Sequence, residues 1–338
     1  MTGGRADQLT TGNVLRLLGA GASGAILMTL GERPLRTKEL TRRITGYAPR
    51  TVYRYATRLT EAGVIDRDEE PGVPSKVTHS LAEPGGRDLF ELVDAYANAS
   101  LRRLPSGEIA APEWGSLGWV ADLWESRMLE ELNHEPKTLT ELARGEHGLS
   151  FHQVSRRVAL LARGGFIEEI PADGGRKRYA LTGKARRAGG LIAGIGRWRR
   201  RHVVTEGSGL SVDEAAGVMR VVLPLIVLPD HVGKSFELRI ASAGEKEAGE
   251  EPVWGDVGGD GAVVNCRSPL ESTDSSARGN VAAWVDSLLD GPRNGLKTKG
   301  DSALIGDCLR QLHEALWSNG AGSAPAAAEA VAGGRDGA

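Results

Sequence analysis

Two short segments of the chain concentrate the side chains that could do chemistry. In each, arginines stand beside hydroxyl, amide or ring groups, at a spacing that places them on the polar face of one helix. The first segment holds Arg50, Thr51, Tyr53, Arg54 and Arg58, and the second holds Ser150, His152, Gln153, Ser155, Arg156 and Arg157. Such groups can bind phosphates and form hydrogen bonds with base edges. The pattern therefore predicts two surfaces that contact a polyanion.

The two segments belong to an internal repeat with a constant offset of 102 positions. Leu27, Leu30, Glu39, Leu40, Val52, Arg54, Leu59, Gly63 and Ile65 recur as Leu129, Leu132, Glu141, Leu142, Val154, Arg156, Leu161, Gly165 and Ile167. A unit of this length is too long for a solenoid repeat and suits a small domain. The sequence therefore predicts two copies of one module.

Each copy has the same predicted order of elements: a long helix, a short helix, a turn, a third helix, a two-stranded hairpin and a closing helix. The boundaries are 13–30 (interrupted at Gly19–Gly24), 37–43, 49–62, 64–67, 76–81 and 86–103 in the first copy, and 119–134, 138–144, 150–163, 166–170, 176–181 and 183–202 in the second. This is the order of a winged helix-turn-helix, whose third helix enters the major groove of DNA.

The predicted hairpins, or wings, differ in charge. The first wing offers only Lys76 near the acidic residues Asp68, Glu69 and Glu70, whereas the second carries Arg176, Lys177 and Arg178. Cations on a wing can bind phosphates and release counterions. We therefore expect the second wing to contact DNA better than the first.

Composition agrees with a chain whose front binds a polyanion. The net charge of −2 conceals 15 Lys and Arg against 12 Asp and Glu in residues 1–104, 16 against 10 in residues 114–203, and 11 against 20 in residues 204–338. No apolar segment is long enough to span a bilayer. Cys266 and Cys308 lack metal-ligand spacing, and we expect reduced thiols in a cytoplasmic protein.

The first copy resembles the HxlR-type branch of the MarR-like winged-helix regulators. The resemblance is carried by Gly31–Leu40, Pro49–Arg54, Leu59–Ile65, Glu70–Val77 and Ser80-Leu81. It implies DNA binding by a dimer that terminal helices hold together. Thr10, Thr11 and Asn13 stand where oxidant-sensing members carry a cysteine, which argues against thiol sensing here. Two copies in one chain also suggest a pseudo-dimer that reads an asymmetric site.

The C-terminal region, about 210–317, more loosely resembles a sterol-carrier-like domain. The similar segments are Ala283–Gly291, Lys299-Gly300-Asp301 and Cys308–Leu312. The resemblance implies an apolar cavity that could hold a small hydrophobic effector. A domain that only packs or oligomerises remains an equal alternative.

One glycine pattern points to a different function. Gly19-Ala20-Gly21-Ala22-Ser23-Gly24 matches the dinucleotide-binding motif, and Glu39 follows about 20 residues later. That motif needs a β-α-β frame, but residues 37–44 have a helical pattern. Close helix packing explains the small residues better. His134, His147 and His231 lack metal-ligand spacing, and Arg197–His202 is either a phosphate patch or a charged helix end.

We therefore predict a mainly α fold with little β structure (α+β): two tandem winged helix-turn-helix domains and a sterol-carrier-like α/β domain. The predicted boundaries are 10–104 and 114–203 for the winged helices, 105–113 for a linker, 208–318 for the C-terminal domain and 319–338 for a disordered tail.

The predicted function is a homodimeric, sequence-specific regulator of transcription that binds double-stranded DNA and has no catalytic residue, cofactor or metal. One alternative is a tandem winged-helix scaffold for protein–protein interaction, which the acidic first wing favours. Another is an NAD-linked enzyme, for which the chain offers the glycine pattern but no acid–base or nucleophile constellation.

Overall fold

The computed structural model describes residues 10–72, 75–101, 111–124, 127–145, 149–171, 176–204, 209–242, 249–292 and 295–317. Their helices and strands fall into three consecutive groups that share one hydrophobic core.

The first group starts with two helices separated by a break at Gly21, which has a φ of +51°. Its elements are α1 (Thr11–Gly19), α2 (Ser23–Glu32), β1 (Leu35–Arg36), α3 (Thr37–Arg43), α4 (Pro49–Glu61), β2 (Ile65–Glu70), β3 (Lys76–Leu81) and α5 (Gly85–Ser100). The strands form an antiparallel sheet in the order β1-β3-β2. Leu35 pairs with His79, and Ile65 pairs with Leu81.

The second group repeats this order of elements. It contains α6 (Ala111–Trp124), α7 (Arg127–His134), β4 (Lys137–Thr138), α8 (Leu139–Gly145), α9 (Phe151–Arg163), β5 (Ile167–Pro171), β6 (Lys177–Leu181) and α10 (Gly183–His202). Its antiparallel sheet has the order β4-β6-β5, which matches the first sheet strand for strand.

The third group is a five-stranded sheet with helices. It contains α11 (Val212–Val222), β7 (Ser235–Ala241), β8 (Glu250–Val257), β9 (Val263–Cys266), β10 (Ser275–Asn280), α12 (Val281–Asp290), β11 (Lys297–Gly300) and α13 (Ser302–Trp317). The sheet order is β11-β10-β7-β8-β9, and only β7 and β10 run parallel. Phe236, Leu238 and Ile240 alternate along β7 and are buried, as a sheet covered on one face requires.

The first two groups pack through equivalent helices, α1 against α6 and α5 against α10. Arg16 Nη2 lies 3.0 Å from Asp122 Oδ1 across the first contact. In the second contact, Leu92 packs against Gly194, which is its own equivalent at the 102-residue offset. In a two-fold pairing, equivalent elements meet each other and a residue on the axis meets its own equivalent. The contacts are thus those of two units related by an approximate two-fold axis inside one chain.

Several expected boundaries need correction. The apolar pattern of residues 212–228 predicts one helix, but α11 ends at Val222, since Pro224 has no amide hydrogen to continue it. Helix α6 starts at Ala111, inside the expected linker. The sequence analysis missed strands β10 and β11, whose polar residues carry little strand signal. Residues 105–110 of the expected linker and the expected tail 319–338 lie outside the described residues.

Among the described residues, no single helix has the length and apolar composition needed to cross a membrane. Only the bent pair of α1 and α2 meets those two criteria jointly, with an angle of 83° between the helices.

We expect Gly19→Ala to lower the free energy of unfolding by about 1–3 kcal/mol, as overpacking does. A Cβ at Gly19 would lie 2.5 Å from the backbone nitrogen of Gly118, so the clash cannot be relieved by a rotamer change. The matched control is Gly115→Ala on α6, where a Cβ would meet nothing within 4 Å. It should raise stability by about 0.5–1 kcal/mol through helix propensity. Urea unfolding measures both, and equal shifts would refute the close α1–α6 crossing.

Candidate nucleic-acid interface

Helix α4 separates an apolar face from a cationic one. Val52, Ala56 and Leu59 are buried and anchor the helix in the core. The sequence-predicted residues lie on the other side, where Arg50, Tyr53, Arg54 and Arg58 are exposed and Thr51 is half-buried. Pro49 occupies the first turn, where its missing amide hydrogen costs nothing. Helix α4 therefore presents cations on its solvent-exposed face.

A packed aromatic ring orders the arginines of α4. The guanidinium carbons of Arg54 and Arg58 lie 4.9 and 5.2 Å from the ring centroid of Tyr55. Stacking on a ring leaves the guanidinium N–H groups free to point outward for other acceptors. The Tyr55 ring in turn occupies the space where Gly21 lacks a side chain.

The glycine pattern of the sequence is therefore a packing corner. Gly21 faces Tyr55, and Gly19 and Gly24 face the backbone of Gly118 and the ring of Trp114. The segment joins two helices and does not follow a strand, and Glu39 lies on α3. The β-α-β frame of a dinucleotide site is thus missing from this part of the chain.

The first wing is dominated by carboxylates. Strand β2 exposes Asp66, Asp68, Glu69 and Glu70, and Lys76 is exposed directly opposite Glu70. Arg67 Nη2 lies 2.8 Å from Glu69 Oε2 and so offsets only one of these four carboxylates. A phosphate contact by Lys76 remains a prediction, and its surroundings make it a weak one.

Helix α9 has the same division as α4. Val154, Val158 and Leu161 are buried. Of the sequence-predicted residues, Ser150, His152, Gln153 and Arg156 are exposed, while Ser155 and Arg157 are half-buried. Arg54 and Arg156, equivalent by the repeat, thus both lie on the outer faces of their helices.

The sequence predicts Ser150 as the cap of this helix, and the structure adds Gln153 as its partner in the cap. The Gln153 backbone N–H donates to Ser150 Oγ at 3.3 Å, and Gln153 Oε1 accepts from the Ser150 backbone N–H at 2.8 Å. This is a capping box that satisfies unpaired groups at the helix start. Base reading by these two residues must therefore compete with the cap.

The second wing is more cationic than the first. Arg176, Lys177 and Arg178 are all exposed. Lys177 Nζ lies 2.6 Å from Glu169 Oε2, and the hydrogen bond to this carboxylate raises the pKa of Lys177. Exposed pairs of this kind contribute little to stability, so a phosphate can displace the carboxylate at little cost.

The sequence reading missed Phe151. It is the first residue of α9, and 54% of its surface is exposed. The available signal was its place directly after the predicted cap, where a core residue is not expected.

The basic run at the end of α10 faces protein. Arg197 Nη1 lies 2.7 Å from Asp290 Oδ2, and Arg200 Nη2 lies 2.9 Å from Asp286 Oδ1. His202 Nε2 lies 2.8 Å from Asp88 Oδ2 on α5. Of the two readings of this run, the structure thus favours a charged helix end. These contacts join the second group of elements to the first and the third.

A cavity of about 310 Å³ adjoins this junction, between α5, α10, α12 and α13. Leu92 and Gly194, the pair on the approximate two-fold axis, line it together with Ala95, Trp198, Leu289 and Trp317. Charged groups at its wall are Asp88, Glu91, Arg197 and Arg201. The cavity could hold one small ring system with a polar substituent.

Neither cysteine has the environment of a reactive thiol. Burial raises the pKa of Cys308 to about 12, and it also raises the pKa of Cys266. A raised pKa keeps the thiol protonated and slow to oxidise. Within the described residues, no three His, Cys, Asp or Glu side chains are grouped as metal ligands.

Comparison with known families identifies the family of one part of the chain. The HxlR-like helix-turn-helix family model matches residues 17–103, about a quarter of the chain. The match extends from α1 to the end of the first group of elements and includes α4 and the first wing. No curated protein matches the chain. Residues 17–103 are therefore an HxlR-like helix-turn-helix domain, of a family whose members are typically DNA-binding regulators of transcription.

Proposed function

We propose that this protein is a sequence-specific regulator of transcription that binds double-stranded DNA through two helices, α4 and α9. The observation that carries the proposal is the exposed cationic face of α4, within the HxlR-like domain. Arginines on such a face supply affinity through phosphates, and the neighbouring polar groups discriminate bases.

The second group of elements acts, in this proposal, as a second winged helix. Its support is the order of elements and the matching sheet order at the 102-residue offset. The capped helix α9 and the cations Arg176, Lys177 and Arg178 supply a reading helix and a wing. The second wing would therefore bind phosphates more strongly than the first.

The two winged helices pair within one chain in this proposal. Support comes from α1 against α6 and α5 against α10, the contacts through which two equivalent units meet. Helices already covered in this way have no free face for the same pairing between chains. A homodimer would then have to use another surface, such as the third group of elements.

The cavity on the approximate two-fold axis is where we place an effector site. A ligand there would touch α5 and α10, whose packing sets how the two units face each other. It shifts DNA affinity only if it binds one arrangement better than the other. This differs from the sequence expectation of a cavity inside a sterol-carrier-like domain, since the third group contributes only part of the lining.

A protein-binding scaffold is the second candidate. The acidic strand β2 favours it, because Asp66, Asp68, Glu69 and Glu70 would repel phosphates. The salt dependence of DNA binding separates the two candidates.

We expect duplex DNA, enriched by binding-site selection with the whole protein, to bind with an affinity that falls steeply with salt. Arg54→Gln and Arg156→Gln should each weaken binding roughly 10-fold and reduce the log–log salt slope by about one. The control Lys297→Gln removes an exposed cation from β11 and should change neither quantity. Fluorescence anisotropy across a salt series measures all four proteins. Binding that is absent, or insensitive to salt, supports the scaffold instead.

We expect one chain to occupy one selected duplex, and that duplex to contain two unlike half-sites. The reason is that α4 and α9 carry different side chains and are joined through internally paired helices. Sedimentation analysis of the complex gives the stoichiometry, and the selected sequences give the symmetry. Two chains on a palindrome would contradict internal pairing while leaving DNA binding intact.

We expect the aromatic probe anilinonaphthalene sulfonate to fluoresce on binding in the cavity between α5, α10, α12 and α13, because Trp198, Trp317 and Leu92 line it. Ala95→Trp on α5 should fill the cavity and abolish the signal. The control Asn98→Trp adds the same ring at an exposed position one turn away and should preserve it. Equal signals from both variants would place the probe elsewhere.

A further inference from the structure

We propose that Phe151 reads thymine, by packing its ring against the C5-methyl group of the base in the major groove. This inference rests on the proposed function, since it needs α9 to enter the groove. It adds a specificity-determining residue outside the polar set that the sequence predicted.

Phe151 is distinguished by its position at the start of α9 more than by its exposure. Four large hydrophobic side chains are notably exposed among the described residues: Tyr53, Phe151, Val232 and Val264. Single exposed apolar side chains are common and need no explanation. Two of these four, however, are the aromatic residues Tyr53 and Phe151, and they lie on the two helices that we assign to the groove.

The start of α9 is held firmly. The capping box between Ser150 and Gln153 fixes the backbone on either side of Phe151. Val154, three residues later, is buried and anchors the same turn in the core. A recognition helix presents its N-terminal residues to the base edges. Phe151 is therefore held on the turn of α9 that would meet the bases first.

The chemistry of a phenyl ring restricts what it can recognise. It has no hydrogen-bond donor or acceptor, so it cannot read the polar edges of guanine, adenine or cytosine. The one apolar group that an unmodified base pair presents in the major groove is the thymine methyl. Because the ring is exposed in the free protein, contact with this methyl removes apolar surface of both partners from water.

The two helices place their aromatic residues at different points. At the 102-residue offset, Phe151 corresponds to Pro49, and Tyr53 corresponds to Ser155. Tyr53 is 51% exposed and lies on the second turn of α4. The half-site bound by α4 should therefore lack a thymine requirement at the position equivalent to the one that Phe151 contacts.

The test replaces each thymine of the selected duplex in turn with deoxyuridine. This base keeps the pairing and the polar edge and loses only the methyl group. For the wild-type protein, at least one replacement in the half-site bound by α9 should weaken binding roughly 4-fold, the value of one buried methyl. Phe151→Ala should bind the thymine and deoxyuridine duplexes equally, whereas Phe151→Leu should retain part of the difference.

Two controls accompany the test. Thermal unfolding should be nearly unchanged in Phe151→Ala, because the side chain is exposed. Tyr53→Ala should leave the methyl sensitivity of the α9 half-site intact.

The proposal is overturned if no thymine is sensitive in the wild type, or if Phe151→Ala keeps the full difference. If the ring instead wedges between base steps, Phe151→Ala should weaken binding to the thymine and deoxyuridine duplexes by the same factor. Failure of the proposed function looks different, since the wild type would then bind no duplex with sequence preference.

Discussion

The structure depends on the packing of one helix, α10, against elements of the first and third groups. Residues 188–196 of α10 are all buried, and α10 contacts α1 and α5 of the first group and α11, α12 and α13 of the third. Gly189 accommodates Val222, Gly190 accommodates Leu316, and Gly194 accommodates Leu92. Each glycine costs about 1 kcal/mol of helix propensity relative to alanine. Close packing on three sides offsets that cost, because a side chain there would push a neighbouring element away.

Polar contacts fix the positions of α7 and α11 relative to α10. Arg186 Nη1 donates to Asn133 Oδ1 at 2.8 Å and to the Val221 carbonyl at 3.2 Å, and burial lowers the pKa of Arg186 to about 10. The guanidinium stays charged at neutral pH and ties α10 to α7 and α11. Such buried, hydrogen-bonded contacts would be strained by any relative movement of the second and third groups.

The consequence is a link between the first two groups of elements and the third. Ion pairs of Arg197 and Arg200 with α12 lie on the same helix whose Gly194 meets Leu92 on the approximate two-fold axis. A ligand in the cavity beside this axis would therefore contact α5 and α10 together. The hairpins that follow α4 and α9 differ in charge, and the two helices carry their exposed aromatic residues at different positions. One chain can thus present two unlike faces in a fixed relation.

The sequence by itself determined the local elements and the repeat. Helical periodicity, Pro49 in the first turn and the cap at Ser150 located α4 and α9, because these signals lie within a few residues of the helix they start. The exposed Arg54 and Arg156 followed from the same periodicity. Strand β10 could not be found this way, since its residues Ser275–Asn280 have little apolar alternation and gain order only by pairing with β7 and β11.

Only the tertiary structure decided how these pieces are used. It identified Tyr55 and Trp114 as the partners of Gly21 and Gly24 at the helix corner, and it assigned the run Arg197–His202 to ion pairs with protein. It also exposed Phe151 and brought Leu92 to Gly194. Each of these facts depends on a partner far away in the chain or on the solvent left uncovered, and residue types and spacing do not encode either one locally.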